Sequence, residues 1–166
     1  MTPRSKTDFI IVHCSATASG SVQSFRDYHV NHNGWRDIGY HWVIGNGHGM
    51  PDGQIEPGRD EQDTGAHCKG FNNTSIGICI VGDTDKTPPT PAQYEMLLSK
   101  LVQLCQKYMI PVKRILGHRE TISGRMEGKT CPGILVDMDK LRLEVADRMR
   151  EAASQNTVFW KLLRGM

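Results

Sequence analysis

Two histidines and a cysteine, His13, His118 and Cys131, are the residues whose types and surroundings offer the most chemistry in this chain. Zinc takes tetrahedral nitrogen and sulfur donors, and a catalytic site supplies three protein ligands while leaving the fourth position for water. These three residues satisfy that count. His13 and His118 each stand at the end of an apolar run, and Cys131 lies in Gly128-Lys129-Thr130-Cys131-Pro132-Gly133, a loop able to bend its thiolate back towards them. Separations this long do not by themselves single out a metal site, so the elements that carry the three residues have to do so.

Phe9 to Cys14 is apolar and rich in β-branched residues, followed by small polar residues, and reads as a buried strand that leaves His13 near its C-terminal end. Apolar and aromatic residues from Phe25 to His32 recur at helical spacing and are closed by Asn33-Gly34, which predicts a short helix with Ser24 as N-cap. Tyr40 to Ile44 and Gln54 to Glu56 flank Pro51-Asp52-Gly53, the signal of a hairpin. Ser75 to Gly82 is almost continuously hydrophobic, as expected of a central strand covered on both faces. After a proline-rich linker, 87–91, the stripe Tyr94, Leu97, Leu98, Leu101, Leu104 and Cys105 predicts an amphipathic helix over 92–108. Lys113 to His118 reads as a short strand or an extended entry to a loop, and Met138, Leu141, Val145 and Met149 predict a last helix over about 137–153. The mixed order implies one α/β domain, a central mixed β-sheet flanked by helices, over residues 1–153, with a basic and apolar C-terminal tail over 154–166.

A formal charge of +2 on 166 residues gives no electrostatic reason to expect nucleic acid as a ligand. The run Phe9 to Val12 is far shorter than a signal peptide's apolar region or the ~20 residues of a membrane span, so folding in the cytosol is expected. Five cysteines, an odd number without framework spacing, fit buried thiols or ligands in a reducing compartment better than disulfides.

Longer patterns go further. His13-Cys14-Ser15-Ala16-Thr17, Gly34-Trp35 with Gly39-Tyr40-His41, Gly65-Ala66-His67-Cys68-Lys69-Gly70, Asn73-Thr74-Ser75-Ile76-Gly77 and Lys129-Thr130-Cys131-Pro132 together resemble the type-2 N-acetylmuramoyl-L-alanine amidases, the family of T7-type phage lysozymes and peptidoglycan recognition proteins. The resemblance runs in order from about Phe9 to Leu143. It implies an amidase/peptidoglycan-recognition-protein-like fold and hydrolysis of the lactyl–L-Ala amide of peptidoglycan, in a phage endolysin held in the host cytoplasm until it is released to the periplasmic cell wall. It also implies zinc on His13, His118 and Cys131, with Tyr40 and Lys129 as catalytic residues. Lys129 would offer positive charge to the oxyanion, a role worth ~3 kcal/mol or more at comparable sites. Tyr40 would hydrogen-bond the attacking water or the oxyanion, since a phenol with a pKa near ~10 is a poor base at neutral pH. No acidic residue stands out as a general base.

The same resemblance puts His67 in the substrate groove. The segment from His118 to Cys131 looks longer than in T7-type enzymes, and its Gly124-Arg125 followed by Lys129 is similar to bacterial amidases of the same superfamily, whose third ligand is Asp. On that side Arg119, Glu120 and Arg125 are expected to contact the stem peptide. A non-catalytic recognition module is the alternative, and loss of the cysteine ligand would be its sign; Cys131 is present. T7-type lysozymes also inhibit their phage's RNA polymerase, a role for which no motif speaks here.

Other reactive side chains have plainer readings. Cys14 follows His13 on a strand, so the two face apart and Cys14 reads as a core thiol. His41 faces away from Tyr40 and reads as hydrogen-bonded or as a support to a ligand. His29 and His32, three apart on a helix, lack a third partner and read as a solvated or half-buried face. His48 reads as exposed, and Cys79 and Cys105 as buried thiols. A monomer is expected. The tail, with Val158-Phe159-Trp160-Lys161-Leu162-Leu163-Arg164, reads as packed on the domain or as touching anionic membrane or lipopolysaccharide.

Overall fold

The computed structural model describes residues 2–164, with side chains as far as residue 155. Strand β1 (Phe9–Cys14) is an interior strand of a five-stranded sheet, with Ile10, Ile11 and Val12 fully buried. On one side it pairs in parallel with β4 (Ser75–Ile80), Phe9 opposite Ser75 through Cys14 opposite Ile80. On the other it pairs in parallel with β5 (Ile115–Gly117), where Val12 stands opposite Gly117. Strand β2 (Trp42–Ile44) runs parallel to β4 and antiparallel to the edge strand β3 (Ile55–Pro57), so the expected hairpin forms and the order is β3-β2-β4-β1-β5. One antiparallel edge makes the sheet mixed.

Alternation along the strands divides the core into two layers. Ile10, Val12, Ile76, Ile78 and Ile80 meet Leu97, Leu98, Leu101 and Leu104 of helix α2 (Pro91–Tyr108) and Leu141 and Val145 of helix α4 (Met138–Arg164). Each such aliphatic side chain contributes ~1.5–3 kcal/mol by burial. The opposite layer holds Val43, Cys79 and Val81 with Val22 of helix α1 (Val22–Asn31), Ile38, Met50 and the half-buried Phe25 and Tyr40. His13 stands opposite Cys79, so alternation turns it to the layer that contains Tyr40.

Three local readings change. Helix α1 is capped by Ser21, not Ser24: the Ser21 hydroxyl accepts from the Ser24 N–H at 3.0 Å and the Ser24 hydroxyl accepts from the Ser21 N–H at 2.8 Å, so Ser24 is the inner half of a reciprocal capping box. The strand expected over 113–118 shortens to β5, because Val112–Arg114 and His118–Glu120 form single 3-10 turns on either side of it. The last helix does not stop at Ala153: α4 begins under an Asp137 cap, whose carboxylate accepts from the N–H groups of Asp139 and Lys140, and runs to Arg164. It thus passes through the boundary expected at 153/154 without a break, and the tail's side chains from residue 156 onward lie outside the described residues. Among the described residues no helix is long and apolar enough to cross a membrane.

Candidate metal centre

Because β1 and β5 are parallel neighbours with Val12 beside Gly117, the next residues, His13 and His118, emerge together at one edge of the sheet. Their rings lie 4.8 Å apart. The loop after helix α3 (Ile122–Met126) carries Cys131 back to them, and the three ligand atoms all fall within 4.8 Å of one another. His13 Nδ1 is 3.6 Å from Cys131 Sγ. Tetrahedral zinc with its usual bond lengths separates a nitrogen and a sulfur ligand by about 3.6 Å, so the donor set fits that ion in type and in spacing. Cys14 is buried and stands outside this cluster.

Burial holds His13 well below the ordinary imidazole range, with His118 and His41 nearby adding to the effect. Burial likewise lowers His118, Glu127 opposing and Lys129 reinforcing it. Both imidazoles are therefore neutral at pH 7 and keep a lone pair for a cation. The Cys14 side chain and burial push the Cys131 thiol up, while the Cys14 N–H, donated to Cys131 Sγ at 3.3 Å, works the other way. A coordinating cation deprotonates such a thiol outright.

The Cys131 loop is tied down from several directions. The Arg119 N–H donates to the Cys131 carbonyl at 2.7 Å, and the Arg119 guanidinium donates to the carbonyls of Thr130 (3.2 Å), Gly133 (2.6 Å) and Val136 (2.7 Å). Asp85 accepts from the Thr130 hydroxyl at 2.5 Å and the Ile134 N–H at 2.7 Å, and the Thr84 hydroxyl donates to the Pro132 carbonyl. Glu120 accepts from the Gly117 N–H at 2.7 Å and pairs with Arg142 at 2.9 Å, anchoring the turn after β5 to α4. Arg119 and Glu120, expected to reach a stem peptide, are thus occupied in holding the site together.

Tyr40 stands beside His13, with ring centroids 5.4 Å apart, and packs on Phe25 and His29. Its backbone is held on both sides, since the Tyr40 carbonyl accepts from Arg59, the His41 N–H donates to Gly77, and the Gly39 N–H donates to His29 Nδ1. Burial, with the thiols of Cys79, Cys131 and Cys14 nearby, raises the phenol well above its ordinary range, so Tyr40 remains a hydrogen-bond donor. Lys129 lies on the rim, ion-paired with Glu127 at 3.5 Å, both about half exposed. Such a pair holds little energy, which leaves the ammonium free to turn to a ligand.

The family profile described as N-acetylmuramoyl-L-alanine amidase matches residues 3–134. The chain belongs to that family. The amidase is 42% identical over 137 residues to the endolysin of Escherichia phage T7, covering 78% of this chain and 82% of the relative. It is 44% identical over 138 residues to the endolysin of Enterobacteria phage T3, covering 78% and 83%. Among solved structures it is similar to the N-acetylmuramoyl-L-alanine amidase LysC from Clostridium intestinale, with a TM-score of 0.74, 26% identity and coverage of 84% and 85% of the two chains. Drosophila PGRP-LB superposes with a TM-score of 0.65 at 27% identity, covering 80% and 82%.

Within the amidase, His13, His118, Cys131 and Tyr40 come together, and Lys129 is close enough to act electrostatically on His118. Arg125, on α3, is exposed. His67 is only 8% exposed and lies beside His13, with its Nδ1 3.0 Å from His13 Nε2. Its Nε2 is 3.5 Å from the Ser75 hydroxyl. The motif Asn73-Thr74-Ser75-Ile76-Gly77 gave Ser75 no role of its own; its register beneath this ring marks it. His41 is fully buried, with Nδ1 accepting from the Gly77 N–H at 2.9 Å and Nε2 3.0 Å from the Asp63 carbonyl. His29, read with His32 as a solvated or half-buried face, is 9% exposed and accepts from the Gly39 N–H, while His32 is exposed and stacks on Tyr28.

Proposed function

We propose that this amidase is a zinc hydrolase that cuts the lactyl–L-Ala amide of peptidoglycan, as a phage endolysin that is kept in the host cytoplasm and acts on the cell wall after release. The observation that carries the reading is the His13, His118 and Cys131 cluster, whose 3.6 Å Nδ1 to Sγ separation equals a tetrahedral zinc edge. The kinship with phage endolysins supports the biological role.

When bound, zinc supplies Lewis acidity that lowers the pKa of water towards ~7 and polarises the scissile carbonyl. His13 and His118 contribute neutral nitrogens, and Cys131 a thiolate. Tyr40, kept protonated by its surroundings, donates a hydrogen bond to the oxygen that gains charge as the amide carbon becomes tetrahedral. Lys129 offers its ammonium to the same developing charge from the rim. The departing L-alanine amine takes up a proton, balanced by the one the attacking water gives up, and the Lys129 side chain on the rim is placed to relay it.

Purified sacculi incubated with wild-type protein are expected to release new L-alanine amino termini, and Cys131→Ala to release none and to lose its zinc. A Cys131→Ala protein with full activity and a full complement of zinc overturns the reading.

A further inference from the structure

We propose that His67 is a positioning residue for the metal centre: it accepts the Nε2–H of His13 and thereby presets the His13 tautomer whose bare Nδ1 faces Cys131. The inference rests on the zinc reading above and concerns how the apo site is prepared for the ion.

The argument starts at a backbone carbonyl. Ser75 Oγ lies 2.8 Å from the Phe71 carbonyl, which can only accept, so the hydroxyl proton is committed there. Towards His67 Nε2, at 3.5 Å, Ser75 then has only a lone pair to offer, which favours the hydrogen on Nε2. A neutral imidazole has one N–H, so His67 Nδ1 is bare. The 3.0 Å contact between His67 Nδ1 and His13 Nε2 needs one hydrogen, and it comes from His13. His13 in turn is left with its lone pair on Nδ1, the atom 3.6 Å from Cys131 Sγ. The reverse order would place a proton on Nδ1, where the ion must bind, and would leave two lone pairs facing each other between Ser75 and His67 unless the Phe71 carbonyl gave up its donor.

The surroundings are built around this ring. A β-carbon at Gly77 would lie 2.6 Å from His67 Cγ and one at Gly65 2.5 Å from Cδ2, so glycine at both positions makes room for the imidazole. Asn72 Oδ1 accepts from the N–H groups of His67 and Cys68, both at 2.8 Å, which fixes the backbone that carries it. His41 packs edge-on at 5.5 Å from behind. Metal-bound histidines usually donate their second N–H to a carboxylate, a carbonyl or water, and here a neutral imidazole takes that place. It adds no negative charge behind the ligand, which leaves Cys131 as the one anionic donor in the cluster.

The test uses the full chain and zinc affinity measured by chelator competition, with cobalt absorption as a second reading of ligand geometry. His67→Leu keeps the bulk and removes the acceptor, whereas His67→Asn places an amide near the position of Nδ1 and can accept from His13. The expected result is a weakening of zinc binding by about 10- to 100-fold in His67→Leu and recovery to within about threefold of wild type in His67→Asn. Imidazole 15N spectra of the wild type, which need no variant to fold, are expected to show His13 and His67 each protonated at Nε2, with and without zinc. A His67→Leu protein that binds zinc as tightly as wild type, or a metal-free His13 protonated at Nδ1, overturns the positioning role while leaving the zinc reading intact. Unchanged zinc affinity with a raised KM for peptidoglycan returns His67 to the substrate groove. A wild-type protein that binds no zinc refutes the metal reading itself, and this inference with it.

Discussion

Replacing Arg119 with methionine keeps the aliphatic stem and removes the guanidinium that donates to the carbonyls of Thr130, Gly133 and Val136. Hydrogen bonds from a charged donor contribute ~1.5–3 kcal/mol each when buried. One of these three is exposed and the other two partly buried, so water replaces much of what is lost, and about 2–4 kcal/mol in total is the expected cost. That cost falls on the 130–136 segment, because the Arg119 N–H to Cys131 carbonyl bond and the Asp85 and Thr84 contacts remain. A metal ion that needs Cys131 in place must then restore the loop as it binds, and each ~1.4 kcal/mol spent so weakens apparent affinity tenfold. Zinc titration against a competing chelator is expected to show at least a tenfold loss, alongside a lower melting temperature and unchanged far-ultraviolet circular dichroism. A variant that melts lower yet binds zinc like wild type would show that Arg119 supports the fold without positioning the thiolate.

Gly77→Ala, which drives a β-carbon into the His67 ring from a fully buried strand, is expected to cost about 1–3 kcal/mol in urea denaturation; wild-type stability would contradict the close packing. His41 is held down to about 4 by burial, against ~6.5 in the unfolded chain, so the unfolded state takes up the proton first as pH falls. Its contribution is complete above about pH 6.5 and is lost progressively towards about pH 4, roughly 3 kcal/mol in all. His41→Asn should flatten the stability profile of the metal-free protein over that interval, and an unaltered slope would refute the assignment. Lys129→Met is expected to lower kcat by about 100-fold with zinc content unchanged, since it removes charge stabilisation but no ligand; loss of zinc instead would mean that Lys129 acts through the site's structure.

Glu61 shows how much of the molecule lies outside local pattern. It is bound by Trp42, Lys107 and Tyr108, residues 19 to 47 positions away, and nothing near it in the chain announces that cluster. The same holds for Arg119 and Glu120, whose place in the segment after His118 suggested contact with the stem peptide. Their actual partners, the 130–136 carbonyls and Arg142, are brought near only by the return of the chain after α3.

What the amino-acid order determined by itself is what depends on period and residue type. Apolar β-branched runs made β1 and β4, a helical stripe behind Thr90-Pro91 made α2, and alternation along β1 turned His13 away from Cys14. Ordered motifs from His13 to Cys131 identified the family and the candidate ligands. Tertiary structure alone decided which strands lie side by side, and therefore that His13 and His118 emerge as neighbours. It also decided that His67, 54 residues from His13, lies buried with its Nδ1 3.0 Å from His13 Nε2. The physical reason is that periodicity tells which face a side chain takes, whereas its partner is chosen by strand pairing and loop return over separations that carry no local signal.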